Sequence, residues 1–186
     1  MVALVELAHQ RDVHQGWLSG RGARAVGGFL ILIPVWIAAY MLHVADPRSP
    51  LVLLFALVLV WVADTMAYFA GHLFGRTKLA PAISPGKTVE GVVGGMIGVA
   101  LVAGFGGTLV WGYHAATLAL WIGLSVVSAL FSVLGDLLES KFKRIAGVKD
   151  SGRIFPGHGG ALDRIDALTA ALPVFALGWH LWFRSA

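Results

Sequence analysis

Five apolar stretches of membrane length constrain the fold of this chain more than any other feature. They cover about residues 25–44, 50–74, 91–112, 115–138 and 167–183. A transmembrane helix needs about 20 mostly apolar residues, so each stretch is a candidate span, and the last is the shortest. Hydrophobic residues make up 58% of the chain, charged residues 13%, and the mean hydropathy is +0.79, which is rare in soluble domains. The sequence predicts an all-α, polytopic integral membrane helix bundle with about five transmembrane helices, forming a single membrane domain over residues 1–186.

The positions of the basic residues predict how this bundle is oriented. Two Lys or Arg residues lie in the segments on one side, Arg48 and Arg184. The others lie in the N-terminal segment 1–24 and in the two large polar loops: Arg11, Arg21, Arg24, Arg76, Lys78, Lys87, Lys141, Lys143, Arg144, Lys149, Arg153 and Arg164. Positively charged loops remain cytoplasmic, so we expect segment 1–24 and both large polar loops in the cytoplasm, with residues 25–186 forming the transmembrane region.

Charge and cysteine content narrow the classes of ligand. The formal net charge is +4, but the basic residues lie between apolar spans, where lipid head groups and nucleotide phosphates are nearer than nucleic acid. We therefore expect no nucleic-acid partner. The chain has no cysteine, which excludes disulfides, thiol nucleophiles and thiolate metal sites. Any metal is expected to be a hard cation bound by oxygen ligands.

The second polar loop, residues 140–166, reads SKFKRIAGVKDSGRIFPGHGGALDRID. Its Ser with a Lys/Arg pair close behind, its Lys-Asp pair, its Pro-Gly-His-Gly-Gly turn and its final Asp-Arg-Ile-Asp closely resemble the hallmark motif of the phosphatidate cytidylyltransferases, also called CDP-diglyceride synthetases. A pattern that fixes so many positions is far more specific than a short glycine motif.

The first polar loop, residues 64–91, reads DTMAYFAGHLFGRTKLAPAISPGKTVEG and resembles the upstream block of the same family. Seen alone, it is an ordinary polar connector with Lys at the membrane surface; paired with the second block, it indicates a substrate-binding loop. Asp64 lies inside an apolar run, where a carboxylate costs a few kcal/mol unless it faces protein, water or a cation. We expect it to face the bundle interior, and the alternative is that the helix ends early at Asp64.

The resemblance implies transfer of a cytidylyl group from CTP to phosphatidate, giving CDP-diacylglycerol and pyrophosphate. It implies Mg²⁺ held by Asp136, Asp163 and Asp166, with a second cation left open, and Lys149 as a further catalytic residue. Asp163 and Asp166 are three apart, so one helical turn would bring them to one side, although such a pair alone is usually a solvated face. The implied substrate-binding residues are Asp64, Ser84, Lys87, Ser140, Lys143, Arg144, Asp150, His158, Gly159, Gly160 and Arg164. For His158, a structural role is as plausible as phosphate binding.

The resemblance begins at about residue 64, and typical bacterial members are longer, with more membrane helices upstream. We therefore expect a short or N-terminally truncated member of the family, in the bacterial inner membrane, with its active site facing the cytoplasm and a homodimer left open. Two alternatives remain: a CTP-dependent enzyme acting on another lipid, such as an ether phosphatidate or a polyprenol, and a catalytically inactive membrane scaffold.

Two further patterns concern packing. Four glycines form overlapping small-xxx-small motifs that predict close helix packing: Gly91, Gly94, Gly95 and Gly98. Four aromatic residues fit an interfacial belt on the outer side: Trp111, Tyr113, Trp179 and Trp182.

Overall fold

The computed structural model describes residues 21–44, 49–148, 150–152 and 160–183 of the chain. Over this part the chain forms α1 (Arg21–Val44), α2 (Ser49–Phe74), β1 (Lys78–Ala80), β2 (Ser84–Thr88), α3 (Val89–Leu109), α4 (Ala115–Ile145), a 3-10 turn (Leu162–Arg164) and α5 (Asp166–Trp182). β1 and β2 pair as an antiparallel hairpin between α2 and α3.

Four of these helices are long and apolar enough to cross a membrane: Val26–Val44, Pro50–Phe74, Val89–Leu109 and Ala115–Ile145. Their outer faces carry large exposed apolar side chains, such as Trp36 and Leu109, as a lipid-facing surface requires. The predicted polytopic helical membrane fold is confirmed, and the chain is an integral membrane protein. α5 has only 17 residues, at the lower limit for a span, and packs against α4 and α1.

Helix α4 continues past its predicted end at residue 138 to Ile145. Its last turns contain good helix formers, and the helix ends where Gly147 adopts a positive φ of 70°. The N–H groups of Gly147 and Val148 donate to the carbonyls of Arg144 and Lys143, which satisfies the end of the helix. Residues 140–144, which sequence analysis assigned to the second polar loop, therefore lie on a rigid helix.

The glycines of α3 let it pack closely against α2, as predicted. A Cβ added at Gly94 would lie 2.2 Å from the Cβ of Ala70, and one at Gly95 would lie 2.8 Å from the Ala63 carbonyl oxygen. This close approach fixes Asp64, on α2, relative to the hairpin that leads into α3.

The hairpin is the main element that the sequence did not predict, because its prolines and turn residues indicated only an irregular connector. Glu90 in the first turn of α3 accepts hydrogen bonds from the N–H groups of Arg76 and Thr77, at 3.1 Å each. The hydroxyl of Thr88 caps α3 by accepting a hydrogen bond from the Gly91 N–H. Both contacts hold the hairpin against the helix ends.

Three of the four residues predicted to form an aromatic belt pack against one buried ring, and their depth in a membrane stays a prediction. Trp111, Tyr113 and Trp179 pack around the fully buried Trp121, with ring centroids 5.0, 5.5 and 6.0 Å from its ring. Only Trp182 is exposed. Aromatic rings satisfy a protein core as well as a membrane interface, so composition alone does not separate the two locations.

Candidate active site

A cavity of about 580 Å³ opens between α2, the hairpin, α3 and α4. Among the predicted site residues, its wall includes Asp64, Ser84, Lys87 and Asp136. The volume falls within the range typical of small-molecule sites. The first polar loop and the part of α4 that carries Asp136 therefore meet at one cavity.

Lys87, at the end of the hairpin, forms an ion pair with Asp136 on α4. The Nζ to Oδ2 distance is 2.5 Å, and both side chains are about a quarter exposed. Ser140, one turn along α4, donates a hydrogen bond to the other oxygen of Asp136 at 3.3 Å. An ammonium held at the cavity wall is suited to neutralise a phosphate.

Asp64 lies on the cavity wall in the middle of α2, which continues to Phe74. The alternative that the helix ends at Asp64 is wrong. Its carboxylate interacts electrostatically with Lys87, Asp136 and Asp166. Asp64 is exposed at the cavity wall rather than buried inside the bundle, and it shares that wall with Lys87 and Asp136.

Lys143 on α4 joins two carboxylates from different segments. Its Nζ lies 2.8 Å from Oε2 of Glu139 and 2.8 Å from Oδ1 of Asp163. These three side chains are exposed by only 18%, 7% and 11% respectively. The ammonium therefore connects α4 to the turn that precedes α5.

Asp163 organises the backbone of this turn. Its carboxylate accepts hydrogen bonds from the N–H groups of Ser151 and Gly160, at 2.9 and 2.7 Å. Desolvation raises the pKa of the Asp163 carboxyl, but the hydrogen bonds from Lys143, Gly160 and Ser151 outweigh it and hold the pKa well below its usual value. Gly160 approaches Ser151 so closely that an added Cβ would lie 2.5 Å from the Ser151 hydroxyl oxygen.

The helical turn predicted to carry both Asp163 and Asp166 is broken at Ile165, between the 3-10 turn and α5. Asp166 accepts a hydrogen bond from the Ala167 N–H at 2.7 Å, and its carboxyl lies beside the carboxyl groups of Asp136 and Glu139. Both aspartates nevertheless lie beside α4. Asp163 contacts Lys143 of this helix, and Asp166 lies near Asp136 and Glu139.

The carboxylates supply the hard oxygen donors that Mg²⁺ prefers, but they do not form a ready-made cage. Within residues 21–44, 49–148, 150–152 and 160–183, no group of three Asp, Glu or His side chains is arranged to hold a metal ion. Mg²⁺ is commonly bound by one or two carboxylates together with substrate phosphates and water, and Asp136 and Asp166 fit that mode. The magnesium site stays a prediction.

The other predicted site residues that the structure describes do not line the cavity. Arg144 donates from Nε to the Ile83 carbonyl of the hairpin at 3.5 Å, so it connects the two polar segments. Asp150 and Arg164 are exposed beside Ser151 and Asp163. Lys149, His158 and Gly159 lie outside the described residues.

Sequence reasoning left three residues of this region out of the predicted site. Glu139 contacts Lys143, and this contact depended on the unpredicted extension of α4. Tyr68 and His72 line the cavity, and their positions four and eight residues after Asp64 were the signal that could have identified them.

Comparison with known proteins identifies relatives of this chain. The sequence pattern of the cytidylyltransferase family matches residues 2–182, and the match begins well before Asp64. A phosphatidate cytidylyltransferase of Pseudomonas aeruginosa is 48% identical over 161 residues, which cover 87% of this chain and 59% of that protein.

Two further relatives carry the same name. One from Haemophilus influenzae is 53% identical over 138 residues, covering 70% of this chain and 46% of that protein. One from Staphylococcus saprophyticus is 49% identical over 124 residues, covering 66% of this chain and 46% of that protein. The chain thus spans about half the length of the curated relatives it matches.

Proposed function

Because this chain belongs to the cytidylyltransferase family, we propose that it transfers a cytidylyl group from CTP to phosphatidate in the bacterial inner membrane. The products are CDP-diacylglycerol and pyrophosphate. The observation that carries the proposal is the ion pair of Lys87 with Asp136 on the wall of a cavity large enough for a nucleotide.

The reaction brings two anions together, which explains the charges of the site. An oxygen of the phosphatidate phosphate attacks the α-phosphorus of CTP, a new P–O bond forms, and the bond to the leaving pyrophosphate breaks. The attacking phosphate is already anionic, so no protein nucleophile is needed. Lys87 lines the cavity and would neutralise a phosphate bound there. Lys143 and Arg144 lie further along α4 and do not line the cavity, so each would contact a phosphate only by exchanging its present partner, with Arg suited to bidentate contact.

Asp136 and Asp166 are the best placed to hold Mg²⁺, and the electrostatic interaction between them supports this assignment. When bound, the ion would withdraw charge from the phosphate oxygens and align the reacting groups. Asp163, whose two oxygens already accept hydrogen bonds, would hold the turn that carries Ser151 and Gly160 and join the metal site only by exchanging partners.

The direct test measures conversion of labelled CTP into a lipid-soluble product by purified protein in detergent. We expect product only with phosphatidate and Mg²⁺, and we expect Asp163→Asn to abolish turnover while membrane insertion is retained. Ether phosphatidate and polyprenol phosphate replace phosphatidate in parallel reactions. Product from one of these alone would contradict the proposed substrate, and an active Asp163→Asn variant would remove Asp163 from the site.

Protein that is folded and binds CTP but gives no product with any lipid would contradict the proposed activity for this chain. That outcome would favour the scaffold alternative. Size measurement of the same preparation would test the homodimer, which stays a proposal.

A further inference from the structure

An aromatic pair lines the wall of the 580 Å³ cavity on α2. The rings of Tyr68 and His72 are nearly parallel, with an interplanar angle of 9° and centroids 6.1 Å apart. Tyr68 is 69% exposed, so most of its surface is available to a ligand. None of the phosphate chemistry described above uses either ring.

The pair shares its helix face with the charged group of the site. Asp64, Tyr68 and His72 are spaced by four residues, which stacks them along one side of α2. The intervening Phe69 and Leu73 are exposed but do not line the cavity. The two rings therefore lie on the cavity wall. Phe69 contacts the edge of the Tyr68 ring, with centroids 5.7 Å apart, whereas Phe74 is exposed and does not line the cavity.

The spacing along the helix matches the shape of a nucleotide. Asp64, which interacts with Lys87 and Asp136, lies eight residues from His72, or about 12 Å at the helical rise. A ligand bound by cations beside Asp64 would extend along this face to the rings. Planar bases stack on aromatic side chains, and the Tyr hydroxyl and His ring nitrogens can hydrogen-bond a base edge.

We propose that Tyr68 and His72 form the subsite for the cytosine base of CTP. This inference rests on the proposed function and assigns the part of the nucleotide that the lysines do not recognise. Aromatic rings near the end of a membrane helix also contact lipid head groups, and the experiment below distinguishes lipid contact from base binding.

The experiment compares Tyr68→Ala, His72→Ala and Tyr68→Phe with Phe74→Ala, the matched control at an exposed aromatic position of the same helix that does not line the cavity. Three quantities are measured in detergent: the KM for CTP, the KM for phosphatidate, and the competition of unlabelled pyrophosphate against bound labelled CTP. Pyrophosphate carries the phosphates without the base, so it reports on the phosphate site alone.

We expect Tyr68→Ala to raise the KM for CTP by about 5- to 150-fold, the range that stacking on one aromatic ring contributes. The affinity for pyrophosphate and the KM for phosphatidate should stay within about twofold of wild type, a difference under about 0.5 kcal/mol. Tyr68→Phe keeps the ring and should retain most of the affinity, and it remains informative if Tyr68→Ala does not fold. Phe74→Ala should leave all three quantities unchanged.

An unchanged KM for CTP, or an equal loss of pyrophosphate affinity, would overturn the base subsite. A change confined to the KM for phosphatidate would assign the rings to the lipid instead. Failure of the proposed function gives a different result. In that case wild-type protein forms no lipid product, but its CTP binding still depends on Tyr68. Wild-type protein that binds no CTP would overturn both.

Discussion

At the scale of single residues, burial separates the roles of the two site lysines. Lys143 is mostly buried between Glu139 and Asp163, whose carboxylates would be left without a cation if it were removed. Lys87 and Asp136 are each about a quarter exposed to the cavity. A buried charge depends on its partner for stability, whereas a partly exposed pair contributes little.

We expect Lys143→Met to lower the free energy of unfolding by about 3 kcal/mol, because it leaves two poorly exposed carboxylates unpaired. Thermal unfolding in detergent measures the effect. The double variant Glu139→Gln/Lys143→Met is the control and should be more stable than Lys143→Met, since one uncompensated charge is gone. A single variant as stable as wild type would contradict the buried arrangement.

Lys87→Met should lower the activity rather than the stability of the protein. Its exposed ion pair contributes no more than about 1 kcal/mol, so the unfolding temperature should change little. Loss of one charge-stabilising group at a reaction centre typically reduces kcat by about 100-fold or more, and we expect that reduction in cytidylyl transfer. Full activity in this variant would show that Lys87 only connects the hairpin to α4.

At the scale of elements, the contact between α2 and α3 sets the geometry of the cavity. Asp64 belongs to α2 and Lys87 directly precedes α3, so the distance between these helices controls how the two charges face each other. The glycine face of α3 permits that distance.

A substitution on this face should therefore affect both stability and activity. Gly94→Val would place its Cβ 2.2 Å from the Cβ of Ala70, and overpacking of this kind typically costs about 1–3 kcal/mol. Gly104→Ala on the same helix is the matched control, because its Cβ would meet only Ile122 Cδ1 at 3.8 Å. Equal unfolding temperatures for the two variants would contradict the close packing of α2 and α3.

At the scale of the whole molecule, the bundle has an aromatic end and a charged end. α4 carries both Trp121, at the centre of the aromatic cluster, and Asp136, fifteen residues or about 22 Å further along. The distribution of Lys and Arg predicts that the charged end faces the cytoplasm.

The absence of cysteine allows a clean test of this orientation, because an introduced thiol is the only one in the chain. Gly86→Cys, in the hairpin, should react with a membrane-impermeant thiol reagent only after the inner membrane is opened. His114→Cys, exposed at the start of α4, should react in cells with an intact inner membrane and a permeable outer membrane. The reverse labelling pattern would invert the proposed topology.

The sequence by itself determined the helical membrane architecture, the approximate helix bounds and most of the charged site. Backbone groups in a bilayer must be satisfied within the chain, so apolar stretches of this length can only form helices. Asp64, Lys87 and Asp136 were identifiable because charged residues beside apolar spans are rare and because their order resembles a known family motif.

Only the tertiary structure decided which charges pair. Lys143 contacts Asp163 twenty residues away, and Arg144 contacts Ile83 across sixty-one, because helix packing brings separate segments together. The extension of α4 to Ile145 placed Glu139 beside Lys143, and the packing of α2 beside the hairpin put Tyr68 and His72 on a cavity wall. Local pattern reports which residues are polar or apolar, whereas the partner of each side chain depends on distances that exist only once the helices are packed.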